Sequence, residues 1–412
     1  HHLEILMEFK NFITEQKNTH MTHIEDKVLY GGVNGTRQAI NALRELRDML
    51  AGQNDAKLST KWDGAPAIFC GQDPSDGNFF VAKKGIFAKN PKIYKSAQEI
   101  DAEMSGDLAD KMKLALKHLP ELGIKGVIQG DFLFSKPDVS TDTIDGQKYT
   151  TFHPNTIIYA VPYDQADAVR KAQIGIVWHT TYTGKDFESM KASYGVNVSK
   201  FKTSKNVWSQ DAMLRDVSGA TMSKKETAEV TKLLSNAGKI FNKISGSTLR
   251  ELENNKDLAT LIEQYNNTFV RNQQIIGNTN KHVTGLIKWL GEKFKKEADK
   301  RSTEKGKMVQ FKKLEEFMKF FSPKNKSNLV AMFDLQKSIV LAKLKLINKL
   351  NSISSYDTFV QTKTGYKVKT GAEGFVAIDK LGGDAVKLVD RLEFSYNNFS
   401  PDILKGWDKP KR

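Results

Sequence analysis

The chain has 412 residues, of which 39% are hydrophobic and 27% charged; that supports one large or two ordinary globular cores, and no apolar run reaches the length of a membrane span. Its single cysteine, Cys70, excludes an intrachain disulfide framework and a multi-cysteine zinc site, and points to a reducing, intracellular compartment. The net charge of +15 favours a polyanionic partner, either nucleic acid or an anionic surface.

The opening His1-His2-Leu3-Glu4-Ile5-Leu6 reads as a purification-tag remnant, with Met7 as the native start and no apolar leader. Thr36 to Ala51 is amphipathic: Ile40, Leu43, Leu46 and Leu50 recur at helical spacing, after a Gly31-Gly32-Val33-Asn34-Gly35 turn. Short apolar runs bounded by Gly, Pro and Asp follow at 65–71, 78–82, 126–134 and 156–161, and predict strands of a sheet. Cys70 lies in such a run (Ala67-Ile68-Phe69-Cys70), which favours a buried structural thiol over a nucleophile.

From about 206 to 350 strand signals give way to helices. Ser223-Lys224-Lys225-Glu226 reads as a capping box, Thr248-Leu249-Arg250-Glu251 as a second helix start, and Leu335 to Leu350 carries Leu and Ile at helical spacing with Lys between them. Residues 281–350 hold 18 Lys and Arg against 7 Asp and Glu, an excess of +11 that is most of the chain's net charge. Strand signals return at 358–361, 366–369, 374–378 and 385–389. The simplest organisation is a mixed α and β domain formed by 7–205 and 351–412, interrupted by a basic helical insertion at 206–350.

The central chemical signal is Lys61-Trp62-Asp63-Gly64. A Lys amine attacks the α-phosphorus of a nucleotide only when neutral, a state favoured by burial or by nearby cations. A neighbouring carboxylate can orient a ribose or support the Lys, and Gly permits close backbone approach. Alone the motif is weak: Lys-x-Asp-Gly arises by chance on the order of 0.1 times in a chain of this length, and Asp-Gly is a common turn dipeptide. His20 and His23 have no downstream partner at metal-ligand spacing, so a structural or substrate-contacting role fits them better. His179 stays unassigned. No Walker-type Gly-rich loop is present.

Five further elements follow Lys61–Gly64 in order. They are Ala82-Lys83-Lys84-Gly85, the strand ending Gln129-Gly130-Asp131, the aromatic run Ile157 to Asp164, Glu373-Gly374-Phe375-Val376, and Val386-Lys387-Leu388-Val389. Their order and spacing resemble the covalent nucleotidyltransferase superfamily of ATP-dependent DNA ligases, RNA ligases and mRNA capping enzymes. Within it the likeness is strongest to ligase-like proteins of tailed phages. The resemblance implies an α+β fold: an ATP-grasp-like ligase nucleotidyltransferase domain with antiparallel sheets, interrupted by an all-α insertion. It implies that Lys61 takes AMP from ATP, that Asp63 and Gly64 shape the nucleotide site, and that Lys83 (with Lys84 as runner-up) lies near the ribose or the incoming 5′-phosphate. Asp131 would accept from ribose hydroxyls or hold a metal-bound water, Tyr159 or Tyr163 would stack on adenine, Glu373 would bind Mg²⁺ or Mn²⁺, and Lys387 would neutralise the α-phosphate.

The chain departs from the family pattern at Asp131, where Glu is usual, at Pro162, and at Val389, where a second Lys is frequent. Only about 25 residues follow Lys387, too few for the oligonucleotide-binding barrel of many DNA ligases, so the basic helices, Lys293, Lys295, Lys296 and Lys300 among them, are expected to grip the strands. The function expected is that of an ATP-dependent polynucleotide ligase joining 5′-phosphate and 3′-hydroxyl ends, on RNA or DNA, monomeric, without membrane contact, in the cytoplasm of a phage-infected host. Two alternatives stay open: a capping-type guanylyltransferase using GTP, and a non-catalytic nucleic-acid-binding protein on a ligase scaffold.

Overall fold

The computed structural model describes residues 21–53, 57–214, 222–378 and 385–408. In chain order the strands are β1 (Thr22–His23), β2 (Lys57–Lys61), β3 (Ala67–Gln72), β4 (Phe79–Ala82), β5 (Val127–Ser135), β6 (Ser140–Ile144), β7 (Gln147–Phe152), β8 (Ile157–Pro162), β9 (Ile174–Thr183), β10 (Lys191–Tyr194), β11 (Val207–Asp211), β12 (Asp357–Thr362), β13 (Lys367–Lys369), β14 (Gly374–Ile378), β15 (Ala385–Leu388) and β16 (Ile403–Leu404). The longer helices are α1 (Gly32–Leu50), α2 (Ala97–Glu103), α3 (Gly106–His118), α4 (Lys224–Phe241), α5 (Gly246–Asn254), α6 (Lys256–Arg271), α7 (Thr279–Asp299), α8 (Glu304–Phe320), α9 (Lys326–Leu350) and α10 (Arg391–Phe399).

The strands form three sheets, in the orders β1-β15-β14-β2, β10-β9-β5-β3-β4 with β11 beside β9, and β13-β12-β8-β7-β6 with β16 beside β12. The pairings are antiparallel except β1 with β15 and β11 with β9. The chain is thus a mixed α and β protein built on antiparallel sheets.

The first sheet divides two environments because its side chains alternate across it. On one face Leu58, Phe375, Ala377, Val386 and Leu388 join the largest core, shared with α1 and the helices of 224–350. On the other, Val376 and Ala385 pack with Met21, Tyr194 and Met213. The helical stretch therefore has no core of its own; it closes the back of the first sheet. Helix α9 runs through that core, burying Leu329, Phe333, Ile339 and Leu346 among others. Helix α4 opens on the expected box: Ser223 Oγ accepts from Glu226 N–H and Glu226 accepts from Ser223 N–H.

Three boundaries differ from the expectation. Helix α1 begins at Gly32, so Gly32–Gly35, read as part of a turn before Thr36, belong to the helix. Residues 207–211 form strand β11 inside the stretch read as helical, because they pair with β9 and their continuation crosses to the first sheet, where Thr60 N–H donates to Ala212 O and Leu214 N–H to Leu58 O. The helix read as starting at Thr248 starts at Gly246; Thr248 lies within it, bonded through Oγ1 to Asn325 at 2.9 Å.

A buried ion cluster ties the N-terminal segment to both flanking helices. Lys343 of α9 meets Glu25 at 2.8 Å, and Arg391, the first residue of α10, lies 3.3 Å from Asp26 and 3.6 Å from Glu25. Burial works to raise the Glu25 carboxyl, but the charges of Lys343, His23 and Arg391 outweigh it and hold it down at about 2.

Candidate active site

Strand β2 delivers Lys61 to the mouth of a cleft of about 340 Å³ between the first and second sheets. Lys61 stands opposite Gly374 in the β2–β14 ladder, so no cross-strand side chain crowds it. Its amine contacts the Oε1 of Glu373, the residue just before β14. Glu373 is largely buried, and burial raises its carboxyl from 4.5 to about 7; the Lys61 charge opposes the rise, and the charges of Asp63 and Asp131 add to it. The ring of Phe394 on α10 has its centroid 5.6 Å from the Lys61 amine.

The loop after Lys61 is held from three sides. Trp62 is buried between Tyr159 and Tyr356, with ring centroids 4.8 and 4.6 Å away. Asp63 is also buried, and its carboxylate accepts three hydrogen bonds, from Asn155 Nδ2 (2.8 Å), Thr156 N–H (2.7 Å) and Ile157 N–H (2.9 Å). Its own N–H donates to the Tyr159 hydroxyl at 2.7 Å. Beyond it, Ala65 N–H donates to Phe132 O and Phe132 N–H to Pro66 O, zipping the loop to β5. Gly64 is required by that approach: a Cβ there would lie 2.7 Å from both the Asp131 Cβ and the Phe132 carbonyl oxygen.

Asp131 faces Lys61 from the second sheet. Its Oδ2 lies 3.4 Å from His179 Nε2, and His179 Nδ1 is 2.7 Å from Thr180 Oγ1. His179 reaches the cleft by alternation: it lies two residues from Val177 on β9, and both line the cleft. Gln129 pairs with Thr180 and Gly130 with Trp178, so His179 is also the extra residue of a β-bulge in β9.

Of the residues singled out in the sequence, the structure gathers Lys61, Asp63, Gly64, Asp131 and Glu373 around one cleft. Lys387 lies opposite Val376, which also lines the cleft, and beside His23. Val376 is in turn opposite Ser59, so Lys387 shares the face of the sheet that carries Lys61. Lys83 directly follows β4, two strands from Asp131 in the second sheet and outside the cleft lining. Tyr159 is buried beneath the Lys61 loop, its hydroxyl bonded to Asp63 N–H. Tyr163 is held elsewhere, with the Lys148 amine and the Arg170 guanidinium each 3.8 Å from its ring centroid. The rings that line the cleft are Trp62, His179 and Tyr194. Lys293, Lys295 and Lys296 lie on α7 and Lys300 at its end; α7 packs on α6, α8 and α9.

Sequence reasoning did not single out Lys405. Its amine donates to Thr156 Oγ1 at 2.5 Å and to Asn398 O at 3.3 Å. Burial lowers its pKa, against the raising charges of Asp63, Asp408 and Glu373. Asn155 and Phe394 were also missed; no motif marks either.

Among the described residues no group of three or more His, Cys, Asp and Glu forms a ready-made metal cage. Glu373 and Asp131 fit the looser requirement of Mg²⁺ in nucleotide sites, where one or two carboxylates act together with substrate phosphates. Both carboxylates line the same cleft.

Fold and site together define an α and β protein whose cleft, between two antiparallel sheets, presents a lysine amine against one buried carboxylate and faces a second. The chain belongs to a family of unknown function (DUF6267), matched over residues 18–402. Compared with curated proteins and with solved structures, it matches none. Among the described residues no helix is long and apolar enough to cross a membrane.

Proposed function

We propose that the chain is an ATP-dependent polynucleotide ligase that carries AMP on Lys61, on a nucleotidyltransferase fold of the ATP-grasp-like ligase type. The observation that carries this reading is the pairing of the Lys61 amine with Glu373 at the mouth of the cleft. A surface turn or a solvated lysine would have neither the buried carboxylate nor the cavity.

In the first step the Lys61 proton passes to Glu373, and the neutral Nζ attacks the α-phosphorus of ATP. The N–P bond forms as the bond from the α-phosphorus to the bridging oxygen breaks, and pyrophosphate leaves with that electron pair. Lys387, on the same face of the sheet, offsets the charge that develops on the α-phosphate. A divalent cation, Mg²⁺ or Mn²⁺, held by Asp131 and the substrate phosphates would supply further neutralisation of phosphate charge, Glu373 being taken up by the Lys61 proton in this step. His179 and Tyr194 provide the ring faces for the base. The AMP then passes to a nucleic-acid 5′-phosphate, freeing Lys61, and a 3′-hydroxyl displaces AMP to form the phosphodiester.

The test is intact mass after incubation with ATP or GTP and Mg²⁺, followed by a panel of RNA and DNA ends. ATP should give an AMP adduct that maps to Lys61 and vanishes in Lys61→Ala, and Lys387→Ala should slow its formation by about two orders of magnitude, the scale of removing one charge partner of a transition state. A GMP adduct would move the reading to a capping-type guanylyltransferase. No adduct with either nucleotide, or one on another lysine, would reject the assignment.

A further inference from the structure

Asp131 and His179 meet on the second-sheet wall of the cleft. Asp131 is on β5 and His179 on the neighbouring β9, and both line the cavity that Lys61 enters. Oδ2 of Asp131 lies 3.4 Å from Nε2 of His179, and the two side chains are 23% and 30% exposed. That separation is longer than the roughly 2.7–3.2 Å of an N–H···O bond, and longer still than the bond an imidazolium makes to a carboxylate. The imidazole is held from its other edge: Nδ1 lies 2.7 Å from Oγ1 of Thr180, a buried residue. A proton on Nδ1, donated to that hydroxyl, leaves the lone pair of Nε2 for the cleft. Asp131 is confined by the Lys61 loop, since a Cβ on Gly64 would lie 2.7 Å from the Asp131 Cβ.

We infer that Asp131 and His179 are two ligands of one divalent metal ion, and that the imidazole makes the cleft select a first-row transition ion over Mg²⁺. The inference rests on the ligase reading for the ion's further ligands, the nucleotide phosphates, and on the pair itself for the choice of ion. Two atoms each about 2.1 Å from one ion lie about 3.0–3.4 Å apart, over the angles from octahedral to tetrahedral coordination. The Asp131–His179 separation falls at the upper end of that span. Thr180 is the outer partner that fixes the tautomer and plane of a ligating imidazole. Among the described residues no third His, Cys, Asp or Glu completes a cage, and Glu373 is engaged by Lys61. Water and phosphate oxygens fill the remaining positions, as in other nucleotide sites. The nitrogen decides the ion. Mg²⁺ is a hard cation held by oxygen and gains little from an imidazole, whereas affinity for mixed nitrogen and oxygen sites rises from Mn²⁺ onward along the first row. Coordination lies in the ring plane, so the face of His179 stays free for the base.

The experiment uses the full chain with Mn²⁺ as probe, alone and with an ATP analogue whose methylene bridge between the α- and β-phosphates blocks attack by Lys61. Loss of the free-ion electron paramagnetic resonance signal follows Mn²⁺ binding, and displacement of Mn²⁺ follows Mg²⁺ binding. The electron spin echo of bound Mn²⁺ should carry the modulation of a directly bound imidazole nitrogen. Labelling histidine with the heavy nitrogen isotope should change that modulation, an arm that needs no variant. His179→Ala should lose the modulation and bind Mn²⁺ about tenfold more weakly or worse, with unchanged Mg²⁺ affinity and an unchanged circular dichroism spectrum. Bound Mn²⁺ without nitrogen modulation, a modulation that persists in His179→Ala, an equal loss of Mn²⁺ and Mg²⁺ affinity, or no Mn²⁺ binding at millimolar concentration with or without the analogue would overturn the inference. Nitrogen modulation with no Lys61 adduct from ATP would reject the ligase reading and leave the metal pair standing. An adduct with no nitrogen modulation would do the reverse.

Discussion

The substitution that best separates structural support from nucleotide contact is Asp63→Ala. The Asp63 carboxylate accepts from Asn155 Nδ2, Thr156 N–H and Ile157 N–H at 2.7–2.9 Å, and the residue is 6% exposed. Hydrogen bonds to charged groups contribute about 1.5–3 kcal/mol each, and buried donors left without an acceptor lose their solvation as well. Because the three bonds share one acceptor they do not add fully, and the expected loss is about 3–6 kcal/mol. That is a large part of the roughly 5–15 kcal/mol by which a domain is stable. Asp63→Asn keeps the shape but turns an N–H towards one of the donors, for an expected loss of about 1–3 kcal/mol. Urea unfolding followed by circular dichroism gives the totals. Tryptophan fluorescence adds a local reading, since Trp62 is packed between Tyr159 and Tyr356 directly before the substituted residue. A stability within about 1 kcal/mol of wild type in Asp63→Ala, combined with loss of the Lys61 adduct, would refute the reasoning: the carboxylate would then be a nucleotide ligand and not the fastening of the loop.

Three further outcomes follow from the same geometry. Burial raises Glu373 to about 7, and the carboxyl must be ionised to take the Lys61 proton; adduct formation should therefore fall about tenfold per pH unit below that value and flatten above it, and a rate independent of pH from weakly acid to weakly alkaline buffer would exclude Glu373 as the acceptor. Gly64→Ala should destabilise the chain by about 1–3 kcal/mol, because its Cβ would meet the Phe132 carbonyl oxygen at 2.7 Å; an unchanged melting temperature with a wild-type adduct would mean that the loop does not need this contact. Charge reversal at Lys293, Lys295, Lys296 and Lys300 should weaken strand binding and flatten its salt dependence without affecting the adduct; an unchanged salt slope would show that this face of α7 is not a grip.

How much of this could be read in the sequence depended on whether a residue's role was local. The Lys61–Gly64 turn and the Glu373-Gly374 pair are short stretches in which residue type follows from chemistry or close approach, and they meet in one cleft. The capping box at Ser223 is equally local and forms as read. The aromatic run around Tyr159 was harder. Alternation tells which residues share a face but not which face looks into the cleft, and here the Tyr159 face packs beneath the Lys61 loop. His179 was out of reach for the same reason. Alternation puts it on the side of Val177, but which side of β9 looks into the cleft is set by how the second sheet packs on the first. The strand at 207–211 was missed because it is short and borders the helices; pairing with β9 decides its conformation, as tertiary context often does.

The helical stretch and the cleft meet through the first sheet, and this changes what the basic helices can be asked to do. Phe375 and Leu388 face the helical core, while Val376 and Lys387, each their neighbour in the strand, face the cleft side. A change in how the helices pack is thus felt one residue from the site, although α7 lies behind the sheet. The second connection runs through charge. Glu25 and Asp26 hold both Lys343 of α9 and Arg391 of α10, and α10 carries Phe394 to Lys61. Buried ion pairs of this kind contribute little net stability against a well-packed apolar alternative, but removing one partner leaves a costly bare charge. Their effect here is to tie the angle of α10 to that of α9. The basic helices and the cleft are thus joined by one run of contacts, from α9 through the ion cluster to α10 and Phe394 beside Lys61.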